Sequence, residues 1–263
     1  MKQSPHSAKM RRLFYKFYSL VQQILAPGLR NSQFAYKQVL ESTCISGIAW
    51  MDLGCGHQLL PAWMPSGQQD EAALLRKPRI FVGIDTDAPS LRKNNLGKNL
   101  VAGNIETLPF SDEAFDLVTA NMVMEHVAHP AELLKEVHRV LKPRGQLLFH
   151  TPNSWGYTTL SAQLLPQRIK ILLVRLLQRR EEGDIFPTHY RLNSPRSIEK
   201  LARKIGFQVV QLSLVESSAQ TVMLGPLVIL ELVWIRALRW QVFSRFRTNL
   251  IVVLRKSAAQ NPA

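Results

Sequence analysis

The sequence predicts an α/β protein: a doubly wound, seven-stranded, mostly parallel sheet, with extra helices at the N-terminus and in the C-terminal half. Three observations predict it. Short apolar runs alternate with segments of helical periodicity, which implies parallel strands covered by helices on both faces. The first run, IAWMDLG, leads straight into a bare turn, Gly54-Cys55-Gly56. Hydrophobic residues make up 46% and charged residues 20% of 263 positions, the balance of a folded chain long enough to bury a sizeable core.

Residues 1–45 read as a basic, amphipathic helical extension. Lys2, Lys9, Arg11, Arg12, Lys16, Arg30 and Lys37 precede Leu40 or lie just before it, with no acid among them. Residues 46–263 form the main domain. Its strands are expected at Ile48–Gly54, Arg79–Asp85, Leu100–Ile105, Phe115–Asn121 and Gly145–Thr151. Between the last two, Leu133, Leu134, Val137, Val140 and Leu141 recur at helical spacing, with Pro143 and Gly145 ending the helix. Ser194 and Pro195 read as the cap and first residue of a helix that Gly206 stops. Phe207–Glu216 and Asn249–Lys256 are the last two strands, expected as an antiparallel pair. Two inserts, around 155–185 (LLPQRIKILLVRLLQRR) and 222–247 (LGPLVILELVWIRALRWQVFSRF), mix leucine, tryptophan and arginine. They read as helices that roof a pocket or face a membrane.

Cys44 and Cys55 are too few for a disulfide framework and read as free thiols of a reducing, cytoplasmic compartment. The N-terminus is basic but lacks the apolar core of a signal peptide. The longest apolar run, Val222 to Ile235, carries Pro226 and Glu231 and falls short of the ~20 residues of a membrane span. The net charge of +14 suggests an anionic partner surface, lipid headgroups or nucleic acid; a solvated basic face is the plainer alternative.

In an open α/β sheet the ligand lies beyond the carboxyl ends of the strands. Gly54 and Gly56 there match the start of a dinucleotide fingerprint, but Leu59 stands where its third glycine belongs. Asp52 does not suit a pyrophosphate, which is already anionic. It suits an ammonium, a sulfonium or hydroxyls. S-adenosylmethionine presents all three, and a helix N-terminus beyond the glycines would favour its carboxylate. Asp85, followed by Thr86, ends the second strand, where an acid accepts ribose hydroxyls. Asn104 and Ile105 can read and sandwich an adenine. The run FDLVTANMVMEHV ends in polar residues at the same edge.

DLGCG, VGID, GNIETLPFSDEAFDLV and LKEVHRVLKPRGQLLFHTPN, in this order from Ile48 to Asn153, resemble the class I (Rossmann-like) S-adenosylmethionine-dependent methyltransferases. The resemblance implies S-adenosylmethionine as cofactor. It puts Asp52, Gly54, Cys55 and Gly56 in the first cofactor loop, Asp85 and Thr86 at the ribose, Asn104 and Ile105 at the adenine, and Asn121 near the methionine part. Two positions depart from the family pattern. Gln58 replaces a common third glycine, which implies a wider loop or a shifted helix start, and Asn104 replaces a common Asp.

His126 in MEHV, just past the fourth strand, and His189 and Tyr190 in FPTHYRLNS are the catalytic candidates, with Arg191 as a further acceptor contact. An imidazole titrates near neutrality and can serve as base for a hydroxyl acceptor. No metal-ligand spacing is visible. The expected acceptor is a small, hydrophobic molecule such as a lipid or quinone, with contact at a membrane surface. Methylation of RNA or protein is an alternative raised by the charge. Against nucleic acid stand the absence of an RNA-binding module and the sequence NMVM where an acidic, proline-containing signature would fall. A cofactor-binding protein without catalysis is the third reading. The oligomeric state is left open.

Overall fold

The computed structural model describes residues 5–94, 99–164 and 187–257. In chain order the helices are α1 (Pro5–Leu25), α2 (Ser32–Thr43), α3 (Gly67–Leu75), α4 (Ala88–Arg92), α5 (Pro130–Val140), α6 (Tyr157–Leu164), α7 (Pro195–Ile205) and α8 (Leu227–Ala237). The strands are β1 (Ala49–Leu53), β2 (Ile80–Asp85), β3 (Leu100–Ala102), β4 (Phe115–Asn121), β5 (Leu141–Pro152), β6 (Phe207–Val215) and β7 (Asn249–Lys256). The chain divides into two compact units: Met1–Ser32 with Trp155–Phe186 and Leu214–Asn249, and Gln33–Ser154 with Pro187–Ser213 and Leu250–Ala263.

The larger unit is built on a seven-stranded sheet in the order β3-β2-β1-β4-β5-β7-β6. The pairs β1–β2, β1–β4, β2–β3 and β4–β5 are parallel. Every residue of β1 is buried, as a central strand covered on both faces requires. Trp50 fills the space beside β4, and its indole N–H donates to Thr119 Oγ1 at 2.8 Å. On α5, Leu133, Leu134, Val137 and Val140 are fully buried, the apolar stripe that periodicity marks. α7 has a reciprocal capping box between Ser194 and Ser197, and Gly206 closes it in the left-handed region.

One boundary differs from expectation. α5 ends at Val140, not at Pro143, because Leu141 is already extended and pairs with Phe115 of β4. Pro143 disfavours helix at Lys142 and so extends β5 backwards.

The smaller unit contains α1, α6 and α8. Ala26, Leu29, Ala219, Val222, Val228, Leu232 and Ile235 form its core, with Phe17, Tyr18, Val21 and Leu25 of α1 packed against it. Glu231, an acid inside an apolar helix, is buried and clasps the preceding loop. It accepts from the N–H groups of Gln220 and Thr221, both at 2.8 Å, and from Tyr157 Oη at 2.7 Å. The first expected insert is described only as α6, to Leu164; the arginine-rich stretch after it and Phe186 lie outside the described residues. Among the described residues no helix is long and apolar enough to cross a membrane.

Candidate functional site

Strand register sets the geography of the site. Leu53 of β1 pairs with Ile84 of β2 and with Ala120 of β4. Asp85 pairs with Ala102, and Asn121 with His150. Gly54, Asp85, Gly103 and Asn121 therefore share one edge of the sheet, on both sides of β1, where the strand order reverses.

The glycine turn is clamped to β2. Gly54 N and Cys55 N reach the Ile84 carbonyl at 2.8 and 3.2 Å. Gly56 N donates to Asp85 Oδ2 at 2.8 Å, and the other oxygen of Asp85 accepts from Asp87 N at 2.8 Å. Asn94 donates to the Gly56 carbonyl. The two glycines have φ of +62° and +48°. A Cβ on Gly54 would lie 2.5 Å from Val123 Cγ2, whereas one on Gly56 would meet no atom within 4 Å. Gly54 thus permits packing, while Gly56 leaves a bare backbone facing open space that a side chain would occupy. A ligand approaching main chain needs such a cradle.

A helix N-terminus directly beyond the glycines is not what the structure has. α3 begins only at Gly67, because Pro61 and Pro65 interrupt the intervening segment. The wider loop is held from behind: Glu71 of α3 accepts from Leu59 N and Leu60 N at 2.8 and 2.9 Å. Those amides are spent on Glu71 and do not face a ligand carboxylate.

Asp52 lies beneath the turn, only 3% exposed, and accepts a hydrogen bond from Thr119 Oγ1. Burial pushes its carboxyl up to about 7, against the Thr119 bond and with help from Asp85 and Glu71. Cys55 is buried too, and burial pushes its thiol up to about 12, so it is a protonated packing residue.

Thr86 and Asn104 are exposed, and Ile105 is half-buried. Asn104 Oδ1 accepts from Glu106 N at 2.9 Å, an Asx turn that fixes the loop after β3. α5 anchors the rest of that loop. Arg139 donates to the carbonyls of Leu108 and Phe110 at 3.0 and 2.7 Å and to Glu136 and Asp112. Glu106 accepts from His129 N and pairs with its ring, each at 2.9 Å.

Asn121 has its side chain engaged by protein: it exchanges hydrogen bonds with Gln33 of α2, and its Oδ1 accepts from His150 Nδ1 at 2.9 Å. What it presents at the edge is main chain. His150 stacks on Tyr36, and burial lowers it to about 3, so it stays neutral.

Past β4 the chain turns through Met122, at φ 59°, into a 3-10 turn, Met124–His126. His126 Nδ1 lies 2.8 Å from the Pro187 carbonyl. A carbonyl only accepts, so Nδ1 donates to it, and in the neutral imidazole the lone pair is on Nε2. The Glu125 carbonyl accepts from His189 N at 2.7 Å and Tyr190 N at 3.2 Å, and Arg191 donates to the Ala128 carbonyl at 2.6 Å. His126, His189, Tyr190 and Arg191, far apart in sequence, are thereby brought to one corner. Tyr190 has φ 52°, uncommon for a bulky residue, and its N–H bond to Glu125 helps hold it there.

Sequence reasoning missed Glu125. Its carboxylate is buried, accepts from Thr151 Oγ1 at 3.1 Å, and lies 4.0 Å from His126 Nε2. The signal was present, an acid beside the histidine in MEHV. Thr119 was also missed; a hydroxyl in an apolar strand was its signal. Nothing local distinguishes Glu71 or Gln33.

A cavity of about 530 Å³ opens at the opposite edge, among Ile48, Asp116, Gly145 and Gln146. It takes no part in this site, and its acid, Asp116, is occupied by Lys142 and by Ala49 N. Among the described residues no cluster of three or more His, Cys, Asp or Glu is arranged to hold a metal.

A family model described as a methyltransferase domain matches residues 20–212, well over half of the chain. The chain is 33% identical over 110 residues to 2-phytyl-1,4-naphtoquinone methyltransferase of Nostoc sp., covering 41% of this chain and 48% of that one. It is 32% identical over 110 residues to phthiotriol/phenolphthiotriol dimycocerosates methyltransferase 1 of Mycobacterium ulcerans, covering 40% and 38%. The chain thus spans less than half the length of either relative. A solved S-adenosylmethionine-dependent methyltransferase from Mesorhizobium loti shares the fold, with a TM-score of 0.55, 16% identity, and 83% and 96% of the two chains covered. The strand order, the bare turn after β1 and the matched family model agree, and the chain belongs to the class I S-adenosylmethionine-dependent methyltransferase family.

Proposed function

We propose that this chain binds S-adenosylmethionine at the β1–β2 edge and catalyses methyl transfer to a small, lipophilic acceptor. The observation that carries the cofactor reading is the clamped turn: Gly56 opens onto free space while its N–H holds Asp85 at the adjoining strand end. Asp85, with Thr86 beside it, orients the ribose. Asn104 and Ile105 take the adenine, Gly54 to Gly56 and the main chain at Asn121 take the methionine part, and ionised Asp52 counters the ammonium from beneath. The bound cofactor supplies an electrophilic methyl carbon on a sulfonium that leaves as a neutral thioether.

The chain's own task is alignment and proton handling. Correct placement of two reactants is worth up to ~7–11 kcal/mol. His126 Nε2, the basic nitrogen of the tautomer that Pro187 selects, accepts the proton of a hydroxyl acceptor. His189, Tyr190 and Arg191 border the acceptor, positioned by Glu125 and Ala128.

The acceptor class is supported by the named relatives, which act on a naphthoquinone and on phthiotriol-type compounds. Molecules of that kind reside in membranes, which fits work at a membrane surface. The net charge of +14 keeps RNA or protein methylation as a second reading. Labelled S-adenosylmethionine, incubated with the protein and fractionated cell extract, separates them. Label in the organic phase is the expected result. Label confined to nucleic acid or protein overturns the acceptor class, and tight cofactor binding with no label in any fraction overturns catalysis.

A further inference from the structure

We propose that the outer faces of α1 and α8 form a docking surface for a bilayer containing anionic phospholipid. This does not rest on the methyl-transfer reading. On α1, Phe17, Tyr18, Val21 and Leu25 face the core of the smaller unit, yet a second apolar stripe remains outside. Met10, Leu13, Leu20 and Ile24 recur at spacings that keep them on one helix face. Leu13, Leu20 and Ile24 are 61%, 61% and 67% exposed. α8 repeats the pattern: Val228, Leu232 and Ile235 are buried, while Leu227, Leu230 and Val233 face outward, Leu230 at 69% exposure. Trp240 and Val242, just beyond α8, are exposed as well. Large apolar side chains in this number are more than the scattered exposure of an ordinary surface.

Charge identifies the occupant. Among the described residues of this unit the only acids are Glu216 and Glu231. Glu231 is buried in its own loop clasp, and Glu216 pairs with Arg239 at 3.0 Å. Exposed cations border the apolar stripes. Lys16 lies three residues after Leu13 and four before Leu20, with Arg12 one turn earlier, and Arg236 follows α8's outward leucines. Long basic side chains beside an apolar stripe keep their charge at headgroup level while the stripe enters the acyl boundary. A protein partner with an apolar groove would satisfy the leucines alone; the flanking cations, with both acids among the described residues of the unit already engaged, match phosphate-rich headgroups.

The test is flotation of the full chain with phosphatidylcholine vesicles, with and without phosphatidylglycerol. Three variants are compared: Leu20→Glu with Leu230→Glu, Arg12→Glu with Lys16→Glu, and Arg203→Glu on the other unit as control. All changed positions are exposed, so circular dichroism should show native folding. The wild type and control are expected to float with anionic vesicles. The leucine variant should stay at the bottom, and the charge variant should lose about tenfold in apparent affinity. Isothermal titration with S-adenosylmethionine should be unchanged in all, which keeps this result separate from the cofactor reading. Failure of the wild type to float, flotation of the leucine variant, or light scattering that shows a dimer broken by the leucine changes without loss of flotation would each overturn the proposal.

Discussion

The main-chain N–H of Gly56 donates to Asp85 Oδ2 across 2.8 Å, joining the first strand's turn to the end of the second strand. The bond fixes the direction of one carboxylate oxygen and leaves its remaining lone pair for a ligand. The two glycines of the turn are not equivalent, because Val123 packs against Gly54 while Gly56 faces open space.

Gly54→Ala should damage the fold, and Gly56→Ala chiefly the binding. At Gly54 a methyl group would drive into Val123, and the positive φ adds strain, together costing about 3 kcal/mol. At Gly56 only the positive φ of +48° is penalised, by about 1 kcal/mol, but the methyl enters the cradle. Chemical denaturation should rank Gly54→Ala well below Gly56→Ala. Calorimetric titration should show at least about a tenfold loss of cofactor affinity for Gly56→Ala. Unchanged affinity would mean that the cradle is not where the cofactor lies.

Cofactor affinity should rise with pH and flatten near neutrality. Burial raises Asp52 from the ordinary 3.8 to about 7, so the fold favours its protonated form. Its contribution to stability is therefore present at low pH and is lost as pH rises through about 7. A bound ammonium favours the ionised form, so binding expels a proton below that pH, and affinity falls by up to about tenfold per pH unit. Titrations in buffers of different ionisation enthalpy would reveal the released proton. Asp52→Asn should flatten the profile; a slope that survives the substitution would assign it to another group.

The legible part of this protein is periodic or punctuated. The α5 stripe, the Ser194 cap and the Gly206 stop depend on neighbours within a few residues, so sequence exposes them. The glycine turn and Asp85 were readable because a parallel sheet must align its strand ends. The wider loop and later helix start after Gly56 could be read from Gln58, but not what holds that loop: Glu71 returns from α3 to Leu59 and Leu60. The Gln33–Asn121–His150 chain was not legible at all: it joins three elements by side chains whose directions exist only once the sheet is assembled.

Arg139 should govern cofactor affinity without approaching the cofactor. Its guanidinium binds two carbonyls and two carboxylates, and Glu136 beside it holds Leu108 N at 2.9 Å. These bonds hold the loop that begins at Asn104. Arg139→Lys keeps the charge but loses the planar fork. It should lower stability by about 1–2 kcal/mol and weaken cofactor binding. Adenosine, which reports on the Asn104 side alone, should lose affinity in proportion. Methionine binding should not change, and an equal loss for both fragments would point to general unfolding.

His126 and Glu125 can be separated by substitution. For a hydroxyl acceptor, removing a general base costs about 10²- to 10⁴-fold in rate, so His126→Ala should nearly abolish label transfer while leaving cofactor binding intact. Glu125 acts differently. Its carboxylate lies 4.0 Å from His126 Nε2, and its carbonyl carries the N–H groups of His189 and Tyr190. Glu125→Gln keeps that main-chain scaffold and most of the shape but replaces the carboxyl group near the imidazole with an amide. The rate at neutral pH should therefore fall far less than on loss of the base. A Glu125→Gln enzyme as slow as His126→Ala would give the acid a direct part in the chemistry, and a His126→Ala enzyme of full activity would remove the base from the mechanism.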